Sequence, residues 1–107
     1  MKIYQRKKNN PYLLPENLYR QMLYLIRDYE RLCALQTVEQ ENEKLSKIKE
    51  KISAIEAAEQ EIPEEYRIYA VEHLKHKTPL PPIADIKTWS KYKSRFLFRL
   101  AKELGEI

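Results

Sequence analysis

Two histidines three positions apart, His73 and His76, are the nearest thing in this sequence to a metal edge. A zinc site needs four Cys, His or carboxylate ligands at close spacing, and neither a cysteine pair nor a second histidine pair completes the set, so no metal is expected. Cys33 is the sole cysteine; in apolar company it reads as a small core hydrophobe rather than a nucleophile. With one glycine, Gly105, a glycine-rich phosphate loop is excluded. The carboxylates fall on the solvent side of a heptad, and neither histidine has an Asp, Ser or Cys partner at useful spacing. The sequence therefore predicts no catalysis and no cofactor.

What it does carry is the chemistry of polyanion binding. The stretch "ADIKTWSKYKSRFLFRLAKELGEI", residues 84–107, holds six Lys or Arg, a tryptophan, a tyrosine and two phenylalanines. Ile86, Trp89, Phe96, Leu97, Leu100 and Leu104 recur at three- and four-residue steps and form a core-facing stripe. Lys87, Lys91, Arg95, Arg99 and Lys102 form a second, exposed row. On a recognition helix, Thr88, Lys91, Tyr92 and Arg95 in the N-terminal half would meet base edges, with Arg95 on a guanine and Thr88 on a thymine methyl. Lys87, Arg99 and Lys102 would contact phosphates. Trp89 is expected in the core because it lies in line with Phe96 and Leu100, whereas Tyr92 lies nearer the charged face. Lys93 falls on the buried side and should snorkel.

The elements that position these residues are all predicted to be helices. A single glycine and a charged share of 34% argue against a sheet of short strands. The chain reads as one all-α domain, 1–107: a basic arm over 1–14, long helices over 15–62, and a helix-turn-helix-like unit over 63–107. Pro15 suits a first helical position, and from there to Thr37 Leu18, Met22, Leu25, Ile26, Tyr29 and Cys33 make one stripe. Val38, Leu45, Ile48, Ile52, Ile55 and Ile62 fit the narrow seam of paired helices. A hairpin near 36–41 is expected, with one long coiled-coil-like helix as the alternative. Pro63 opens the next helix, whose inward face is Tyr66, Tyr69, Ala70 and Leu74, and "HKTPLPP" stops it. Asp85 caps the last helix. The core should join Met22, Ile26, Tyr29, Tyr66, Leu74, Trp89, Phe96 and Leu100. Because the apolar stripes exceed what a small core uses, a homodimer is expected through Leu45, Ile48, Ile52 and Ile55 or the first helix.

The net charge of +4 hides a division: +4 over residues 1–36, −5 over 37–65 and +5 over 66–107. Basic ends facing a polyanion, with Arg6, Lys7 and Lys8 of the arm adding phosphate or minor-groove contacts, suit double-stranded DNA. No apolar run is long enough to span a membrane, and residues 1–14 lack a signal-peptide core, so a cytoplasmic protein is expected.

Three stretches carry a resemblance. "NPYLLPENLYRQMLYLIRDYERL", "IPEEYR" and "TWSKYKSRFLFRLAKELGEI" together resemble small phage late-gene transcription regulators of the RinA and ArpU type, whose C-terminal halves are similar to region 4 of sigma factors. The resemblance implies DNA binding in a bacterial host cell, with the final helix in the major groove. The alternative is a small phage protein that binds and inhibits a host protein, for example an anti-CRISPR-type inhibitor of a nucleic-acid enzyme, with the acidic segment 37–65 as its active face.

Overall fold

The computed structural model describes residues 11–107. They form five helices and no strand: α1 (Glu16–Arg27), α2 (Tyr29–Val38), α3 (Asn42–Glu59), α4 (Glu64–His76) and α5 (Ile86–Glu103).

Pro15 precedes α1 and places Glu16 at the positive end of the helix. The single helix expected over 15–37 is interrupted at Asp28, which sits at φ −90°, ψ 0°. Its amide donates to both Tyr24 O and Leu25 O at 3.1 Å, and its carboxylate takes Arg31 Nε at 2.6 Å. A short Asp side chain that finds a nearby cation loses little by leaving the regular backbone ladder. The joint has a use in packing: α1 lies against α4 and α5, while α2 pairs with α3.

The expected hairpin forms between Val38 and Asn42 without glycine or proline. Glu39 (φ −72°, ψ 130°) and Glu41 (φ −79°, ψ 119°) turn the chain in extended conformations open to any L-residue. The α3 seam runs into the chain's own core. Ile55 and Ile62 are fully buried and Ile52 nearly so, whereas Leu45 and Ile48 are half-buried and Val38 is exposed. Ile52 and Ile55 are therefore spent inside one chain, which removes half of the proposed self-association seam from the surface.

Helix α4 ends before its prolines, because Lys77 takes the left-handed conformation (φ 58°) and its amide caps His73 O at 2.9 Å. The face it buries is Ala70, Val71 and Leu74. Tyr69, expected inward, is 45% exposed because it lies about a third of a turn off that stripe. At the start of α5, Asp85 accepts the Thr88 amide at 2.8 Å. At its end, Gly105 (φ 75°) donates to Lys102 O and Glu106 to Ala101 O, the paired bonds of a Schellman cap.

Helix α5 is the central member, touching α1, α3 and α4, with Trp89, Phe96, Leu97, Leu100 and Ala101 all buried. Its stripe begins at Trp89: Ile86, expected in it, is 82% exposed at the first position of the helix, ahead of the packed turns. Of the other predicted core residues, Met22, Ile26 and Leu74 are buried, and Tyr29 and Tyr66 pack half-buried against the cluster.

Candidate nucleic-acid interface

The basic row on α5 divides into three kinds of residue. Lys87 and Lys91, near the N-terminus, are exposed and make no ion pair among the described residues, as is also true of Lys102. Arg99 is tied down: its Nη1 donates to Glu61 at 2.8 Å and its Nε to Glu103 at 2.7 Å. These two carboxylates hold its guanidinium pKa above the ordinary value, Glu103 foremost. Arg95 is half-buried, with its guanidinium 5.0 Å from the Tyr12 ring centre, and its Nε is buried with no hydrogen-bond partner among the described residues. The uniform exposed row predicted from spacing is thus corrected at two positions. Helical periodicity reports which way a side chain points, and Glu61 and Tyr12 reach across to Arg99 and Arg95 from elsewhere in the chain.

Thr88 stands in the first turn, half-buried, with its amide already occupied by Asp85. Tyr92 stacks on Tyr66 at 5.5 Å and 26°, and Tyr66 in turn meets Trp89 edge-on at 5.5 Å and 80°. This aromatic trio ties α4 to α5, so Tyr92 is a packing residue with the Lys91 amine 5.3 Å from its ring centre. Trp89 is in the core as expected. Arg6, Lys7 and Lys8 lie outside the described residues.

Lys93 is half-buried and its Nζ lies 3.4 Å from His73 Nε2, with burial lowering its pKa. His73 Nδ1 is 2.7 Å from Thr78 O. A carbonyl only accepts, so Nδ1 carries the proton and Nε2 receives the lysine. Among the described residues no group of three or more His, Cys, Asp or Glu is placed to hold a metal ion. Cys33 is half-buried and packs against the core.

His76 instead bridges Glu72 (2.9 Å) and Glu30 (3.1 Å), linking α4 to α2, and these hydrogen bonds raise its pKa. A raised folded-state value means that the stabilisation is fully present below the unfolded histidine value and fades as pH rises through the folded one. The advantage of the wild type over His76→Gln in thermal unfolding should therefore shrink between about pH 6 and pH 8. An advantage that is constant across that range would remove the bridge from the account.

The acidic segment is also partly used internally. Glu56 accepts from Tyr29 Oη at 2.7 Å, and Glu59 lies 3.9 Å from Lys75. Burial raises the Glu59 pKa more than Lys75 lowers it.

The sequence reading missed the segment before α1. Leu14 is 3% exposed, and Tyr12 meets Phe98 of α5 edge-on at 5.4 Å. The available signal was the apolar triplet Tyr12, Leu13 and Leu14 directly ahead of a helix, the position from which a side chain staples onto its neighbours.

Comparison with protein-family models, with curated proteins and with solved structures finds no match to this chain.

Proposed function

We propose that this chain is a phage-type DNA-binding transcription regulator that lays the N-terminal half of α5 along duplex DNA. The observation that carries the reading is the charge of α5: six Lys or Arg from Lys87 to Lys102 with no carboxylate before Glu103, and Lys87 and Lys91 exposed and without ion pairs. By contrast Arg20, Arg31 and Lys75 are each matched to a carboxylate within the chain. The resemblance to RinA- and ArpU-type regulators points the same way.

In this reading Lys87, Lys91 and Lys102 meet phosphates, and Thr88 is the base-facing residue of the first turn. The Arg95 guanidinium lies 5.0 Å from the Tyr12 ring centre, so in this reading its contact with a guanine is coupled to the segment that leads back to Arg6, Lys7 and Lys8. No catalytic step is assigned. No helix of the described residues is long and apolar enough to cross a membrane, and a DNA regulator of this type would act in the cytoplasm of a bacterial host.

The test is a salt titration of binding to random duplex DNA. Neutralising three phosphates gives a log-log slope of about −2.7. A protein that does not bind duplex at low salt is not a DNA regulator. A second reading, inhibition of a host protein, is favoured by Ile68 and Tyr69, which stand 66% and 45% exposed on α4 and suit an apolar contact.

A homodimer remains part of the proposal, now through the half-buried Leu45 and Ile48 or the exposed Tyr24 of α1 rather than through Ile52 and Ile55. Sedimentation at tens of micromolar should show the dimer, since moderate interfaces form in that range. A strictly monomeric boundary would reject it.

A further inference from the structure

A cavity of about 540 Å³ lies between the segment ahead of α1 and the C-terminal half of α5. Its charged lining is Arg95, Arg99, Lys102, Glu61 and Glu103, and its aromatic lining is Tyr12 and Phe98. One cation consumes both carboxylates, because Arg99 holds Glu61 at 2.8 Å and Glu103 at 2.7 Å. Arg95 and Lys102 are left over, and neither makes an ion pair among the described residues. The cavity therefore has an excess of positive charge after its internal pairs are closed. Arg95 adds a second observation: its Nε is buried without a hydrogen-bond partner among the described residues, although a guanidinium stays charged at any ordinary pH. A desolvated donor of this kind is completed by an anionic acceptor.

The other wall sets the class of anion. Tyr12 and Phe98 meet edge-on at 5.4 Å, and Leu14, 3% exposed, pins the segment that carries Tyr12. The volume falls in the range of small-molecule sites, about 300–1,000 Å³. An inorganic ion would leave most of it empty and would not use the rings, whereas a planar heterocycle attached to a phosphoryl group uses both walls. We infer that this cavity binds a nucleotide, its phosphoryl group on Arg95 and Lys102 and its base against the Tyr12 and Phe98 rings. The nucleotide is either free or part of a single strand, since both present the same base and phosphate. The site shares Arg95 and Lys102 with the duplex reading but not Lys87 and Lys91, so variants of those two lysines distinguish its failure from the failure of the duplex reading.

Nuclear magnetic resonance on the isotopically labelled full chain tests it, following the Arg95 Nε–H signal and the ring signals of Tyr12 and Phe98. Deoxyadenosine monophosphate should shift all three saturably in the millimolar range or below. Inorganic phosphate should move only the arginine signal, and deoxyadenosine should move the rings weakly. Arg95→Gln and Tyr12→Leu should each weaken deoxyadenosine monophosphate by about tenfold, a loss of about 1.4 kcal/mol, with Trp89 fluorescence reporting an intact core. An oligo-deoxyadenylate strand that binds more than about tenfold tighter than the mononucleotide identifies the strand as the source, and equal affinity identifies the free nucleotide. Lys87→Glu with Lys91→Glu should weaken duplex binding and flatten its salt dependence, and leave the mononucleotide shifts unchanged. The inference is overturned if millimolar deoxyadenosine monophosphate moves none of the three signals, or if Arg95→Gln retains the full response.

Discussion

Phe96→Ala should cost about 3–5 kcal/mol of folding stability, more than any surface change in this chain. Phe96 is 0% exposed on the central helix, in the cluster that also holds Ile26, Ile55 and Leu100. Truncating it removes the transfer energy of a ring and leaves a hole that α1 and α3 cannot close without moving their own packed side chains. Domains of this size hold only about 5–15 kcal/mol in total, and each kcal/mol shifts the midpoint by about 4–8 °C. A fall in Tm of well over ten degrees, read by circular dichroism, is thus the expected result. A loss below about 1 kcal/mol would mean that α5 does not occupy the centre of the fold.

The double charge reversal Lys87→Glu with Lys91→Glu should have the largest effect on binding. Both side chains are exposed and neither is paired with a described carboxylate, so the fold should stay within about 0.5 kcal/mol of the wild type. On DNA the change removes two phosphate neutralisations and adds two repulsions. The log-log salt slope should fall by about 1.8 units, and affinity at low salt should drop for every sequence alike. Retention of both slope and affinity in a folded variant would remove the N-terminal edge of α5 from any role in DNA binding and shift attention to Ile68 and Tyr69 on α4.

Much of the architecture was legible because it depends on local rules. Pro63 and Asp85 fix the starts of α4 and α5 by backbone and capping chemistry, and Trp89, Phe96 and Leu100 are buried because their spacing matches a helical turn. The hairpin was also expected, although no turn residue marks it. Asp28 was not foreseen as a joint, since the stripe from Leu18 to Cys33 continues across it in register. The interface was harder to read. Exposure of Lys87 and Lys91 followed from the helix alone, but the fate of Arg99 depends on Glu61, 38 positions earlier in the chain, and that of Arg95 on Tyr12. Tyr92 faced the same limit, because whether a boundary tyrosine is wet or stacked depends on Tyr66 of another helix.

The joint at Asp28 also divides the order of assembly. Helix α2 meets α3 across a three-residue turn, whereas α1 must wait for α4 and α5, which begin 37 and 59 positions after α1 ends. Closing the short loop costs little chain entropy and closing the long ones costs more, so the α2/α3 pair is the natural nucleus and α1 docks late. Leu32→Ala in the nucleus should then mainly slow refolding, while Ile26→Ala on α1 should mainly speed unfolding. Stopped-flow chevrons separate the two, and the opposite assignment of the limbs would show that α1, α4 and α5 assemble first. With late docking, the long-lived folded state depends on α1 staying in place, which makes the outer helix and not the hairpin the determinant of resistance to proteolysis.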